Sequence, residues 1–161
     1  MSTIRVARGS ATGPTAMSSF DAALAEAGVH NYNLVTLSSV IPADARLERV
    51  GTAPDLGPTG EALYAVVGRE TLIPGADGEA CAGLGWVRSE SGRGLFYEAS
   101  GTDADAVARA VESGLRRGMD LREWAFSEEP EIVVESIPAA DEEHATAVVV
   151  AAYGESEPLL G

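Results

Sequence analysis

The apolar positions of this chain change period several times, and each change marks an element. "TIRVARG" (3–9) alternates polar with apolar residues and predicts a half-buried strand. The Gly-, Ser- and Pro-rich stretch at 9–17 then predicts a loop. In "SSFDAALAEAG" (18–28) Phe20, Ala23, Leu24 and Ala27 share one face behind a serine cap, with Gly28 as the stop, which predicts a short helix. "NYNLVTL" returns to a strand, "VIPADARLERVGT" leaves it through Pro42 into another, and "APDLGPTG" (53–60) reads as a loop.

The second half is more apolar. "ALYAVVG" and "CAGLGWVRS" predict buried strands separated by the loop "IPGADGE", and "GLFYEAS" a further strand after the turn "SESGRG". "GTDADAVARAVESGLRRGM" is the clearest helix. Thr102 is its expected cap, with Asp103 and Asp105 in its first turn, Arg116 and Arg117 in its last, and a stripe of Ala104, Val107, Ala108, Val111 and Leu115. "EIVVESIP" and "HATAVVVAAYG" close the chain as strands, the last apolar enough to be central, and the acidic "SEEPE" and "PAADEE" read as solvated loops. Seven or eight strands and two or three helices, mostly strand after strand, predict an α+β domain with a largely antiparallel sheet.

With 161 residues, 45% of them hydrophobic, the chain suffices for one domain (1–161) with a core of its own. No run approaches the roughly 18 apolar residues of a membrane span, and the N-terminal stretch lacks the apolar core of a secretory signal, so the expectation is a cytoplasmic protein. Charge narrows the picture further. Asp and Glu number 25 against 11 Lys and Arg, a formal net charge of −14, and all 11 cations are arginine. So negative a field disfavours nucleic acid and anionic membranes as partners and suits a salt-rich, halophilic cytoplasm, where screening removes self-repulsion.

The absence of lysine excludes the Schiff base of pyridoxal phosphate enzymes and the P-loop of NTPases. Cys81 is alone and only His30 and His144 accompany it, so neither a disulfide nor a zinc cluster is expected. Glu128/Glu129 and Glu142/Glu143 lack the spacing of a hard-cation loop, so no metal is assigned. "GLGWVR" has Arg88 where a dinucleotide fingerprint needs its third glycine, which leaves Gly83 and Gly85 as close-packing positions. No G-x-S-x-G elbow is present.

Ser38 and Ser39 are harder to dismiss. They end the apolar run "NLVTL", follow a side-chain amide at Asn33 and precede the rigid Pro42. A serine hydroxyl in such a place can attack the preceding carbonyl and convert the peptide to an ester, given a strained or polarised bond. Elimination then splits the ester, and hydrolysis of the dehydroalanine at position 39 releases ammonia and leaves a pyruvoyl ketone. That electrophile takes up an amine without lysine or added cofactor. The alternative is a pair of hydroxyls bonded at a strand end.

The run "SSFDAALAEAGVHNYNLVTLSSVIP" resembles the archaeal pyruvoyl-dependent arginine decarboxylases, and "GLFYEASG", "CAGLGWV" and "HATAVVVAAY" stand at compatible places, so the likeness covers roughly residues 18 to 153. The resemblance implies an αββα sandwich and self-cleavage into a β chain, 1–38, and an α chain, 39–161, headed by a covalent pyruvoyl group from Ser39. It implies a homo-oligomer, a trimer or dimer of trimers, with active sites between neighbouring subunits. The implied reaction converts a small amino-acid substrate, L-arginine, to agmatine and carbon dioxide for polyamine biosynthesis.

By the same resemblance Ser39 is the pyruvoyl precursor, Glu98 the proton donor to the α-carbon, Asn33 an amide serving processing or the oxyanion, and Asp21 the partner of the substrate guanidinium. In "GLFYEAS" Glu98 shares a face with Phe96, and partial burial there would raise its pKa, as a general acid near neutrality requires. Asp21 also reads as an acidic residue in the first helical turn, favoured by the dipole. The chain departs from the family at Ala43, where relatives can carry a second proline, and residues 44–80 align poorly. Two other readings stay open: the same fold and cofactor acting on another amino acid, and an unprocessed paralogue serving as a binding or structural subunit.

Overall fold

A computed structural model describes residues 2–126 and 128–161; Met1 and Ser127, the latter opening the "SEEPE" stretch, lie outside the described residues. The elements in chain order are β1 (Thr3–Gly13), α1 (Ala16–Ala27), β2 (Asn33–Thr36), β3 (Val40–Ile41), β4 (Arg46–Gly51), β5 (Ala62–Leu72), β6 (Glu79–Arg88), β7 (Gly94–Gly101), α2 (Ala104–Asp120), β8 (Glu131–Pro138) and β9 (His144–Tyr153). One sheet has the order β2-β5-β9-β1-β4 and the other β3-β7-β6-β8.

The two sheets pack face to face, and each carries a helix on its outer face, giving the αββα order. The inter-sheet core unites Ile4, Val6, Val66, Leu84, Trp86, Phe96 and Val149 from both sheets. A second layer joins Ala23, Leu24 and Ala27 of α1 to Leu63, Val148 and Val150. A third joins Val111 and Leu115 of α2 to Val87 and Leu95. β9 is the middle strand of five and is buried from Ala145 to Ala152, as its unbroken apolar run predicts. All pairings are antiparallel except two involving edge strands, β1 with β4 and β2 with β5.

Three local expectations are corrected. The chain does not turn into a loop at Gly9; β1 continues to Gly13, paired residue by residue with β9. Its glycines serve the helix instead: a side chain at Gly9 would collide with the Ala23 carbonyl of α1, and one at Gly13 would lie 2.6 Å from the Ser18 hydroxyl. The caps also lie one to three residues from where the sequence put them. Thr15 caps α1 by accepting from the Ser18 N–H, while the Ser18 hydroxyl accepts from the Thr15 N–H, both at 3.0 Å. Asp103, not Thr102, caps α2 by accepting from the Asp105 N–H. Gly28 does end α1, at φ 84°, a conformation that costs glycine nothing. Among the described residues there are nine strands, because "VIPADARLERVGT" yields two, β3 and β4, in different sheets.

Gly83 and Gly85 prove to be close-packing positions. A β-carbon on Gly83 would lie 2.6 Å from Val107 Cγ1, and one on Gly85 would run into Val111. The two glycines let α2 settle onto β6.

Candidate functional site

Ser38 and Ser39 are two of the three residues, 37–39, between β2 of one sheet and β3 of the other. The crossover is pinned at both ends. Leu37 donates its N–H to the Ala65 carbonyl of β5 at 2.9 Å, and Ser39 accepts from the Phe96 N–H of β7 at 2.7 Å. Between these anchors Ser38 is exposed and Ser39 half-buried. Among the described residues no peptide is cis and no residue other than glycine has positive φ, so the Ser38–Ser39 bond is not held in the left-handed region.

The Phe96–Ser39 bond continues the antiparallel register of β3 with β7, in which Val40 faces Leu95 and Ile41 faces Gly94. Residues directly opposed across a ladder share a face, so Ser39 lies on the inter-sheet face with Phe96. Glu98, two residues further along β7, is on that face too. In this geometry diagonal neighbours are about 7–8 Å apart. The sequence-level inference that Glu98 follows Phe96 therefore brings it to the serines as well.

Glu98 stands where β7 has lost its short partner β3. Its β-carbon packs against Gly68 of β5, where any added β-carbon would lie only 3.2 Å away. The side chain is exposed over much of its surface in the single chain. Even so, the protein around its carboxyl removes enough water that desolvation raises its pKa above the ordinary glutamate value, against a smaller lowering by its own backbone N–H.

Just beyond, Tyr153 of β9 donates its hydroxyl to the Val40 carbonyl at 2.8 Å, and its ring lies 6.1 Å from that of Phe96. Burial pushes the phenol up to about 12. On the other side of β7 a cavity of about 300 Å³ is lined by Ser39, Tyr97, Gly114, Arg117, Leu121 and Arg122. Glu98 does not line it.

The other two candidates sit elsewhere. Asp21 is exposed on α1, across the five-stranded sheet from Glu98. It belongs to the second helical turn, not the first, so the helix dipole does not account for it. Beside it the Arg69 guanidinium stacks on the Phe20 ring at 4.6 Å. Phe20 and Arg69 line a cavity of about 430 Å³ with Tyr32, Asn33, Thr36 and Val67. Asn33 opens β2, and its amide donates to the Gly60 carbonyl at 2.8 Å. β2 then carries the chain away at about 3.3 Å per residue, so within one chain Asn33 is not beside the Ser38–Ser39 bond.

The chain thus presents two separate groups: Ser39 with Glu98 at the crossover between sheets, and Asp21 with Phe20, Asn33 and Arg69 on the helix side of the larger sheet. Sequence reasoning missed Phe20, Gly68, Arg69 and Tyr153. Arg69 alternates onto the outer face of β5, a signal the period-2 pattern does hold, whereas nothing local marks Tyr153 as a partner of Val40. Among the described residues no group of three or more His, Cys, Asp or Glu is placed to hold a metal ion, and no helix is long and apolar enough to cross a membrane.

Comparison with known proteins adds the family context. A family model described as pyruvoyl-dependent arginine decarboxylase matches residues 3–158. A protein of that name from Halobacterium salinarum is 51% identical over 162 residues, covering 99% of each chain. One from Thermococcus kodakarensis is 41% identical over 147 residues, covering 87% of this chain and 88% of that protein. One from Methanocaldococcus jannaschii is 28% identical over 134 residues, covering 83% and 79%.

Proposed function

The chain belongs to the pyruvoyl-dependent arginine decarboxylase family, and on that footing we propose that it cleaves itself between Ser38 and Ser39 and then decarboxylates L-arginine to agmatine. The observation that carries the reading is the placement of Ser39 at an exposed crossover, its carbonyl held by the Phe96 N–H and its face shared with Glu98.

In processing, the Ser39 hydroxyl oxygen attacks the Ser38 carbonyl carbon, and the C–N bond breaks to give an ester and a free amine at position 39. Loss of the Ser39 α-proton expels the Ser38 carboxylate and leaves dehydroalanine. Addition of water and loss of ammonia complete the pyruvoyl end. The residue 39 carbonyl and its bond to Val40 pass through unchanged, so the Phe96 hydrogen bond survives the chemistry. The crossover suits this reaction: Ser38 is open to solvent, and both flanks are fixed so that the hydroxyl and the carbonyl stay together.

The pyruvoyl group supplies an electrophilic ketone that takes up the substrate amine and the electrons released with carbon dioxide. The chain's own residues do the rest. Glu98, whose pKa desolvation raises, donates the proton that replaces the carboxylate on the α-carbon. Asp21 pairs with the guanidinium through two parallel hydrogen bonds, and Phe20 offers an apolar wall for the substrate's methylene chain. Because these two groups lie across a sheet from Ser39 and Glu98, the site is completed by a neighbouring copy in a homo-oligomer. Asn33 then reaches a scissile bond, or the substrate, from the neighbour. The acidic, lysine-free surface fits a halophilic cytoplasm, and agmatine would enter polyamine synthesis.

The test is intact mass of protein purified in high salt, followed by carbon dioxide release from arginine, ornithine, lysine, aspartate and histidine. Fragments 1–38 and 39–161 with release from arginine alone bear the proposal out. Release from another amino acid only would replace the substrate, and a single uncleaved, inactive chain would replace the enzyme with a binding or structural subunit.

A further inference from the structure

Cleavage at Ser38 turns a crossover into a chain end, and chain ends fray unless their backbone groups are held. The new end belongs to β3, a two-residue edge strand that pairs only with β7. Ile41 is fully buried, but Val40 is 48% exposed, so side-chain packing anchors the third residue of the new chain and not the first two. The carbonyls of those two residues are held instead: that of residue 39 by the Phe96 N–H at 2.7 Å, and that of Val40 by the Tyr153 hydroxyl at 2.8 Å.

The two donors come from different sheets. Phe96 is on β7, and Tyr153 is the last residue of β9, the central strand opposite. Tyr153 is itself fixed: it faces Ile4 in the β1–β9 ladder, and its ring packs against the inter-sheet core beside Phe96. Successive carbonyls of a strand point in opposite directions, so bonds to both define the orientation of the peptide unit between them. That unit joins residue 39 to Val40.

We propose that Tyr153 is a positioning residue for the electrophile: its hydroxyl, by holding the Val40 carbonyl, keeps residue 39 in register with Phe96 and on the face of Glu98 once Ser38 has been released. The proposal rests on the reading that Ser39 is the processing site. Before cleavage the tether to β2 does the same work, so the hydroxyl matters chiefly afterwards. Burial holds the phenol proton to about pH 12, so the donor persists wherever a carboxyl such as Glu98 titrates.

The test compares Tyr153→Phe, which keeps the ring, in two backgrounds: the self-cleaved protein and the uncleavable Ser39→Ala chain. Amide hydrogen exchange is read at Phe96, whose proton lies on the residue 39 carbonyl, together with intact mass and arginine kinetics. The expected result is normal cleavage, about five- to tenfold faster exchange at Phe96 in the cleaved protein only, and a lower kcat with KM little changed. Equal acceleration in both backgrounds, or none in the cleaved protein, overturns the proposal. If Tyr153→Phe does not fold, unsubstituted protein still decides: the proposal requires Phe96 to be as protected after cleavage as in Ser39→Ala, and a frayed end sinks it. Unsubstituted protein that stays one chain would overturn the processing reading itself, and intact mass separates that failure from the others.

Discussion

The N–H of Phe96 donates to the carbonyl oxygen of Ser39 at 2.7 Å. One backbone bond thus registers the residue proposed to carry the chemistry against the strand that carries Glu98, without any side chain. The bond involves atoms that the proposed self-cleavage leaves alone. A crossover between two packed sheets provides what an ordinary loop does not: Leu37 and Ser39 are each bonded to a neighbouring strand, while Ser38 between them is exposed.

That arrangement separates the roles of the two serines. Ser39→Ala removes the proposed nucleophile but keeps the Phe96 bond, so the protein should fold and remain one chain by intact mass. Ser38→Ala keeps the attacked carbonyl and should still yield fragments 1–38 and 39–161. Cleavage in Ser39→Ala, or its loss in Ser38→Ala alone, would assign the nucleophile to the wrong serine.

Glu98 sets a direction for pH dependence. Desolvation raises its pKa in the folded protein, so on the proposed role of proton donor activity should fall as pH rises through the raised value. For stability the sign is the same: the contribution is fully present below the unfolded pKa and is lost as pH rises through the folded one. Glu98→Gln, which cannot ionise, should reduce kcat by about 10²- to 10⁴-fold. It should also remove that part of the pH dependence of the melting temperature. A pH–kcat profile unchanged in shape by Glu98→Gln would exclude the residue as proton donor.

The separation of Asp21 from Ser39 invites a complementation experiment. On the proposed roles, Ser39→Ala lacks the electrophile and Asp21→Ala the guanidinium partner, so each alone should be weakly active or inactive on arginine. Unfolded and refolded together in high salt, they should form mixed oligomers in which some sites combine an intact Ser39 with an intact Asp21 from the neighbour. Recovered activity above the sum of the separate preparations is the expected result. No recovery, in mixtures shown to exchange subunits, would place the whole site within one chain.

Much of this arrangement is legible in the sequence because it depends on local period. Alternation along "GLFYEAS" puts Glu98 on the face of Phe96, and the apolar run in "HATAVVVAAYG" makes β9 central. What local pattern cannot show is contact across the sandwich. Tyr153 and Val40 are 113 residues apart, and the gap at Gly68 that admits Glu98 belongs to the opposite sheet. The glycines of β1 misled for a related reason. Gly9 and Gly13 read locally as loop residues, but their missing side chains make room for α1, a requirement set by tertiary packing.

The same close-packing logic makes Gly85 a stability determinant. A β-carbon there would meet Val111 and lie 3.0 Å from Leu115 Cδ1, two fully buried anchors of α2. The helix must shift outward or the side chains must leave their rotamers, a cost of about 1–3 kcal/mol for an overpacked site. Gly85→Ala should therefore lower the melting temperature by several degrees at fixed salt. An unchanged melting curve would show that α2 has slack on β6.

Salt dependence follows from the charge balance. Asp and Glu number 25 against 11 arginines, and among the described residues only Glu48, Glu112, Glu129 and Glu135 lie in ion pairs, all of them with arginines. Most carboxylates therefore repel one another without local compensation. The screening length shortens from about 10 Å at 0.1 M salt to about 3 Å at 1 M, which brings it below the usual spacing of surface charges. Melting temperature should thus rise steeply with potassium chloride up to roughly that concentration and then flatten, as screening saturates. A continued linear rise at higher salt would instead point to strengthened burial of apolar surface. A melting temperature indifferent to salt would mean that the acidic surface imposes no cost on the fold, and the halophilic reading would fall with it.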